Sequence, residues 1–351
     1  MFSEASFTQS IRKVAIVGSG LAGLTLGHEL RERGYEVSLF DKARGPGGRM
    51  SSKRAGEQSV DMGAQYFTIR HQGFRQFLEN KAGNESWGLW EGHFQDRDAA
   101  GVWLPSSREA RYTGIPRMSA MTRALSRELD VSVSQRIIEL NRTDTGHWLI
   151  TSEAGGSGER DEHGEFDAGL LTAPVQQCRD LLNNSALTPL TDQLDLPEFE
   201  LQPCWAVGLH FGGDAEFPTD GGKLDHPVLG WIANNSSKTG RQEEGEGQWL
   251  VLHATAEWSD RNREASAEDV IRQMTDSFLD VMQVDQQPDQ SLAHRWLYAK
   301  AGKAGAGSFW WPEQRLGIAG DWLNGGRVEA AWESAMDLIG RITAPAPDRS
   351  E

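Results

Sequence analysis

The chain has little cysteine: only Cys178 and Cys204 in 351 residues, far apart and in no spacing motif. That argues against a disulfide framework and leaves two small buried apolar side chains as the reading. No His/Cys cluster has zinc spacing, so no metal site is expected. Basic residues are in deficit, 35 Lys and Arg against 51 Asp and Glu, a formal net charge of −16. This weighs against nucleic acid, which needs a basic face, and against a polybasic membrane anchor. No apolar run reaches about 18 residues, so no membrane-spanning helix is expected. The first ten residues, MFSEASFTQS, lack the basic start and apolar centre of a signal peptide. Residues 1–10 therefore read as a disordered extension, 344–351 as a frayed tail, and the protein as cytoplasmic.

What is present begins near the N-terminus. Val14-Ala15-Ile16-Val17 runs into Gly18-Ser19-Gly20-Leu21-Ala22-Gly23, then a helical pattern to Arg33, then Glu36-Val37-Ser38-Leu39-Phe40 ending in Asp41. Strand, Gly-x-Gly-x-x-Gly turn, helix, strand and acid together form an apparatus for an adenine dinucleotide. Gly18 permits the tight turn, Gly20 lets backbone approach a pyrophosphate, and Gly23 lets helix and strand pack closely. The helix start offers free N–H groups to phosphate. Gly34 suits the helix end, and Asp41 is placed to bind ribose hydroxyls.

The next segment, DKARGPGGRMSSKR (41–54), is a glycine-rich arginine loop directly after the acid. With DMGAQYF (61–67), WLVLHATAEWS (249–259), LAHRWLYA (292–299) and GDWLNGGRVEAAW (320–332), it resembles the renalase-like branch of the flavin amine oxidase superfamily. Where the usual superfamily pattern has Arg-x-Gly-Gly-Arg, this chain has Arg44 and Pro46 around Gly45, as that branch does. The resemblance implies an α/β fold with an α+β second lobe: a Rossmann-type FAD-binding domain and a discontinuous substrate domain resting on the flavin. The expected segments are 11–68, 115–180 and 310–343 for the first, 69–114 and 181–309 for the second.

It also implies non-covalent FAD, held by Gly18, Ser19, Gly20, Leu21, Ala22, Gly23, Asp41, Lys42, Arg44, Gly48, Arg49, Met50, Gly63, Ala64, Ile137, Gly320, Asp321, Arg327 and Val328. The last helix would point its positive end at the flavin pyrimidine edge. Many amine oxidases carry a lysine in a substrate-lobe strand; the comparable strand here, Cys204–Phe211, has none.

For the substrate face, the 13 tryptophans start at Trp87 and suit a flat heteroaromatic partner. Gln65, Tyr66, Trp205, His294, Trp296 and Tyr298 are the pocket candidates, with Trp322 a further tryptophan. Alternation puts His294, Trp296 and Tyr298 on one strand face, with Leu297 opposite as core if buried. A half-buried strand packing aromatics inward is the competing reading. His210 reads as a hydrogen-bonded core histidine. Asn235–Gly247 reads as an exposed polar loop, and Lys300–Ser308 as either a lid or an ordinary mobile loop.

The branch is associated with oxidising 2-dihydro and 6-dihydro isomers of NAD(P), which implies hydride transfer to flavin and electrons passed to O2 as hydrogen peroxide. The expected partners are therefore a small dihydronicotinamide-type substrate and O2. A flavin amine oxidase or desaturase, and a flavin-binding redox sensor without turnover, are the alternatives.

Overall fold

The computed structural model describes residues 11–154, 158–213, 216–241 and 247–344. The expected extension over 1–10, the tail beyond 344, residues 155–157 and 214–215, and residues 242–246 of the expected Asn235–Gly247 loop lie outside them. The strand Lys13–Val17 is apolar on both faces, the pattern of a parallel sheet covered on each side. It pairs in parallel with Glu36–Asp41 and Ala168–Leu171. Asp130–Val133 and Leu316–Ile318 extend the parallel sheet, and Phe309–Trp311 closes one edge antiparallel. The run from Val131 to Leu140 is not one strand. Ser134, at φ 58°, breaks it, and Gln135–Arg142 leaves to form an antiparallel sheet with Trp148–Ala154 and Arg160–Phe166.

Three layers result. Leu21–Glu32 and Val328–Thr343 pack on one face through Leu24, Leu338 and Ala335 against Val14, Ile16 and Leu170. Ala15, Phe40 and Leu171 turn to the other face, where Ile137, Trp148, Ile150 and the helix Val175–Asn184 cover them.

The second lobe is a five-stranded antiparallel sheet ordered Gly221–Lys223, Leu229–Asn234, Gln248–Ala254, Gln202–Phe211, Gln290–Lys300. The helix Ala267–Met282 is capped by the Ser266 hydroxyl, which accepts from Asp269 N–H. Its Val270, Met274 and Phe278 cover one sheet face, meeting Trp205, Val207, Leu209 and Phe211. The opposite face, with Ala206, Val251 and Trp249, sits on Val60 and Met62 of the dinucleotide lobe. No helix among the described residues is long and apolar enough to cross a membrane.

Candidate functional site

Four segments converge between the lobes. The first is the glycine turn. Gly18 takes φ +108°, and a Cβ on Gly23 would lie 2.0 Å from the Gly18 carbonyl oxygen, so neither tolerates a side chain. Around Gly20 a Cβ would meet nothing within 4 Å. The helix beginning at Leu21 carries no side-chain cap, which leaves its first N–H groups facing that opening. Asp41 is buried; its carboxylate accepts from Ser19 N–H at 2.8 Å, Ser19 Oγ–H at 2.6 Å and Ala43 N–H at 2.8 Å.

The second segment is the arginine loop. Gly47 N–H donates to the Ser19 carbonyl, and Gly48, at φ +53°, places its Cβ position 3.6 Å from the Gly20 backbone. Met50 turns into the core. Arg49 reaches across to form a salt bridge with Asp321 and donates to the Ala299 carbonyl. This brings in the third segment, where Gly320 and Asp321 precede the last helix. Arg327 is that helix's N-cap, and Val328 starts it against the core. Glu329 in its first turn is fully buried and accepts from the N–H groups of Arg70 and His71. Ile137 is buried behind Phe40, and burial with Arg136 nearby lowers the Lys42 ammonium. Arg44 is exposed.

Asp61–Tyr66 is the fourth segment. Ala64 N–H donates to the Arg49 carbonyl, and a Cβ on Gly63 would come within 2.0 Å of that same oxygen. The Met62 carbonyl accepts from Trp296 Nε1 at 2.9 Å and from His253 Nε2 at 3.1 Å. Asp61 is sealed, and two cations from another lobe meet it: Lys238 Nζ at 3.2 Å and Arg241 Nη2. Ser52 Oγ–H and Met118 N–H complete its shell. Burial alone would raise this carboxyl, but Lys238 and Arg241 pull it down to about 2. Burial lowers the Lys238 ammonium to about 8 against the pull of Asp61. Its three protons have three acceptors: Asp61 Oδ2, Gln65 Oε1 and Asn235 Oδ1. Gln65 also donates to the Asp61 and Gly63 carbonyls, so its amide is spent on holding this segment.

Residues 235–241 therefore correct the expectation of an exposed loop: Asn235, Lys238 and Arg241 are buried. The buried lysine of this region, Lys238, enters from that loop and not from the strand Cys204–Phe211.

The pocket candidates divide. His253 and His294 are both directly opposite Ala206, and Trp231 is opposite His253, so one sheet face carries Trp231, His253 and His294 in a row. His294 packs edge-on against Trp296 at 4.3 Å. Burial drives His253 down to about 4, and burial with Lys53 nearby does the same to His294. Tyr66 lies against Trp231 at 5.4 Å. Tyr298 packs on the core of the dinucleotide lobe. Trp205 is on the opposite sheet face with the helix and donates to the Asn262 carbonyl. Trp322 is fully buried against Phe199. Leu297 is 39% exposed, so it is not core. His210 is buried and bonded to Asp289 at 2.5 Å. The Lys300–Ser308 stretch is tied down: Ala306 N–H donates to Leu323 and Ser308 Oγ–H to Asp337.

Comparison with known proteins agrees with this architecture. Residues 16–80 match the NAD(P)-binding Rossmann-like domain, and residues 82–337 match the family of flavin containing amine oxidoreductases. Mouse (Mus musculus) renalase is 22% identical over 82% of this chain and 85% of its own length. A 1-hydroxycarotenoid 3,4-desaturase of Flavobacterium is 38% identical, but over 17% of this chain and only 12% of its own length. A putrescine oxidase solved with putrescine bound has TM-score 0.67 at 14% identity, covering 94% of this chain and 99% of that one. The open space at Gly20, the glycine cradle and the buried Asp41 fit an adenine dinucleotide, and FAD is the cofactor the family implies. The chain belongs to the flavin-containing amine oxidoreductase family, with a renalase among its broad-coverage relatives.

Proposed function

We propose that this flavin-dependent oxidoreductase is an oxidase of aberrant dihydronicotinamide dinucleotides, the 2-dihydro and 6-dihydro isomers of NAD(P). When bound, FAD supplies the acceptor for the substrate's hydride and returns the electrons to O2 as hydrogen peroxide. The Gly18–Gly23 turn and Asp41 would hold its adenosine and pyrophosphate part, Arg49 and Asp321 its centre, and Gly63-Ala64 with the start of the last helix its ring end.

What carries the substrate assignment is the face opposite Met62–Ala64. Trp231, His253, His294 and Trp296 form an aromatic wall on one sheet face, with His294 edge-on to Trp296, and its histidines, held near 4, are neutral at pH 7. The buried Lys238 has no proton-accepting role there, because all three of its protons are engaged. Protonated amines must lose a proton before they give up hydride, so such a wall serves them poorly. A dihydropyridine is already a hydride donor and needs only stacking and alignment.

The test is anaerobic stopped-flow absorbance of the yellow holoenzyme mixed with each dihydronicotinamide isomer, with putrescine and tryptophan as amine controls. Rapid bleaching by the isomers and none by amines is expected; the reverse pattern defeats the reading. The cofactor is non-covalent in this proposal, so acid precipitation should leave the yellow colour in the supernatant. Colour in the pellet would refute that part.

A further inference from the structure

A cavity of about 360 Å³ opens beside Tyr66, lined by Leu89–Gly92, Phe94 and Ser107–Arg111. Its floor holds an unusual cation. Arg111 is 5% exposed, yet it forms no salt bridge with any described carboxylate. One Nη2 bond runs to Ser106 Oγ at 2.8 Å, whose hydroxyl in turn donates to Asp96. Otherwise the guanidinium rests on rings, 5.2 Å from the centre of Tyr66 and 4.0 Å from that of Phe94. A buried guanidinium with no anion of its own is costly unless a ligand brings one.

Glu109 acts on this charge through space, but no acid of the lining forms an ion pair with it. Glu109, also in the lining, is taken by Arg70 through two bonds of 2.5 and 2.9 Å. Glu91 is the other acid of the lining, and it is exposed. Arg108 adds a second, exposed cation with no hydrogen bond or salt bridge among the described residues. The wall thus presents two available arginines in a chain of net charge −16. The position is also telling: Tyr66 directly follows the Asp61–Gln65 segment, and Arg70 ties Glu109 to the segment held by Glu329 at the start of the last helix.

We propose that this cavity is an anion subsite holding the pyrophosphate of a dinucleotide substrate, with Arg111 its recognising residue and Arg108 its outer clamp. The inference rests on the dihydronicotinamide reading above and adds what that reading leaves open, namely how the non-reacting part of the substrate is held. Arginine suits the task because its planar fork meets phosphate oxygens in pairs. Binding energy from this remote group would align the reacting ring on the aromatic wall.

The experiment compares three 6-dihydronicotinamide donors by anaerobic flavin reduction: the dinucleotide, the mononucleotide and the phosphate-free riboside. In the wild type, half-saturation should occur at a concentration at least about tenfold lower for the phosphate-bearing donors than for the riboside. Arg111→Gln should compress that preference toward one, Arg111→Lys should retain part of it, and the exposed Arg108→Gln should reduce it partially. Inorganic pyrophosphate should slow the wild-type reaction with the dinucleotide by competition. The FAD absorbance spectrum verifies that each variant is folded, and the Arg108 variant keeps the test alive if Arg111→Gln does not fold. A wild type that reduces with riboside and dinucleotide equally well overturns the subsite while sparing the proposed function. Equal weakening of all three donors in Arg111→Gln also overturns it. Failure of every dihydronicotinamide defeats the proposed function, and the subsite with it.

Discussion

Gly20 and Gly23 sit three residues apart in one turn and answer to different constraints. Gly23 is pressed against the Gly18 carbonyl, so Gly23→Ala strains the packed turn and lowers the melting temperature of the apoprotein. Gly20 faces open space, so Gly20→Val leaves the apoprotein's melting temperature nearly unchanged and instead removes FAD, because branched carbon fills the pyrophosphate's approach. Absorbance at the flavin maximum beside a melting curve separates the two; loss of stability without loss of flavin in Gly20→Val would reverse the assignment. Asp61 poses a second contrast at this scale. Asp61→Asn leaves Lys238 and Arg241 buried with no counter-charge and should lower stability by about 3–5 kcal/mol. Lys238→Met removes one cation from a cluster of two cations and one anion, so its loss should be clearly smaller. Urea midpoints check the order, and a larger loss in Lys238→Met would show that the lysine's bond to Gln65 outweighs the charge balance.

At the scale of elements, the strand Gln290–Lys300 is where sequence periodicity and structure part. Alternation correctly sets His294 and Trp296 on one face, because a strand's geometry forces it. It could not tell that Leu297 faces solvent, because exposure on an edge strand depends on where the covering helix ends and not on alternation. Trp296→Ala should therefore slow flavin reduction on the order of 100-fold while the flavin spectrum persists, as His253 still holds the Met62 carbonyl. Leu297→Ala should cost less than about 1 kcal/mol and leave reduction intact. Equal rates in wild type and Trp296→Ala would make that ring core packing. The same division explains what was legible throughout. The glycine turn, Asp41, the arginine loop and the Gly320-Asp321 turn are contiguous motifs whose residue types follow from local backbone and phosphate chemistry. The Asp61–Lys238 pair is separated by 177 residues, and nothing local distinguishes a buried lysine in a polar stretch from a solvated one. Arg111 was hidden likewise, because its burial depends on Tyr66 and Phe94 closing over it.

For the whole molecule, the buried titratable groups between the lobes make stability dependent on pH, and the sign follows from each shift. An unfolded imidazole titrates near 6.5, whereas His253 in the fold is held near 4 by burial, with Lys300 adding to it. Between those values the unfolded chain binds more protons than the folded one, so unfolding free energy rises with pH across that window. Taking the protein from pH 7 to pH 5 should remove about 2 kcal/mol through this one group. Asp61 acts lower down: its carboxyl is held near 2 against an ordinary 3.8, so its contribution is present above about pH 4 and fades as pH falls toward 2. Both groups make the inter-lobe contact acid-labile in the same direction, in successive windows. His253→Gln keeps an amide donor for the Met62 carbonyl but cannot titrate. The difference in urea midpoint between pH 7 and pH 5 should therefore shrink in that variant by an amount equivalent to about 2 kcal/mol, while the fall below pH 4 persists. An unchanged difference would mean that His253 gains its proton without strain on the fold, and that the neutral wall assigned to the substrate face carries charge at mildly acidic pH.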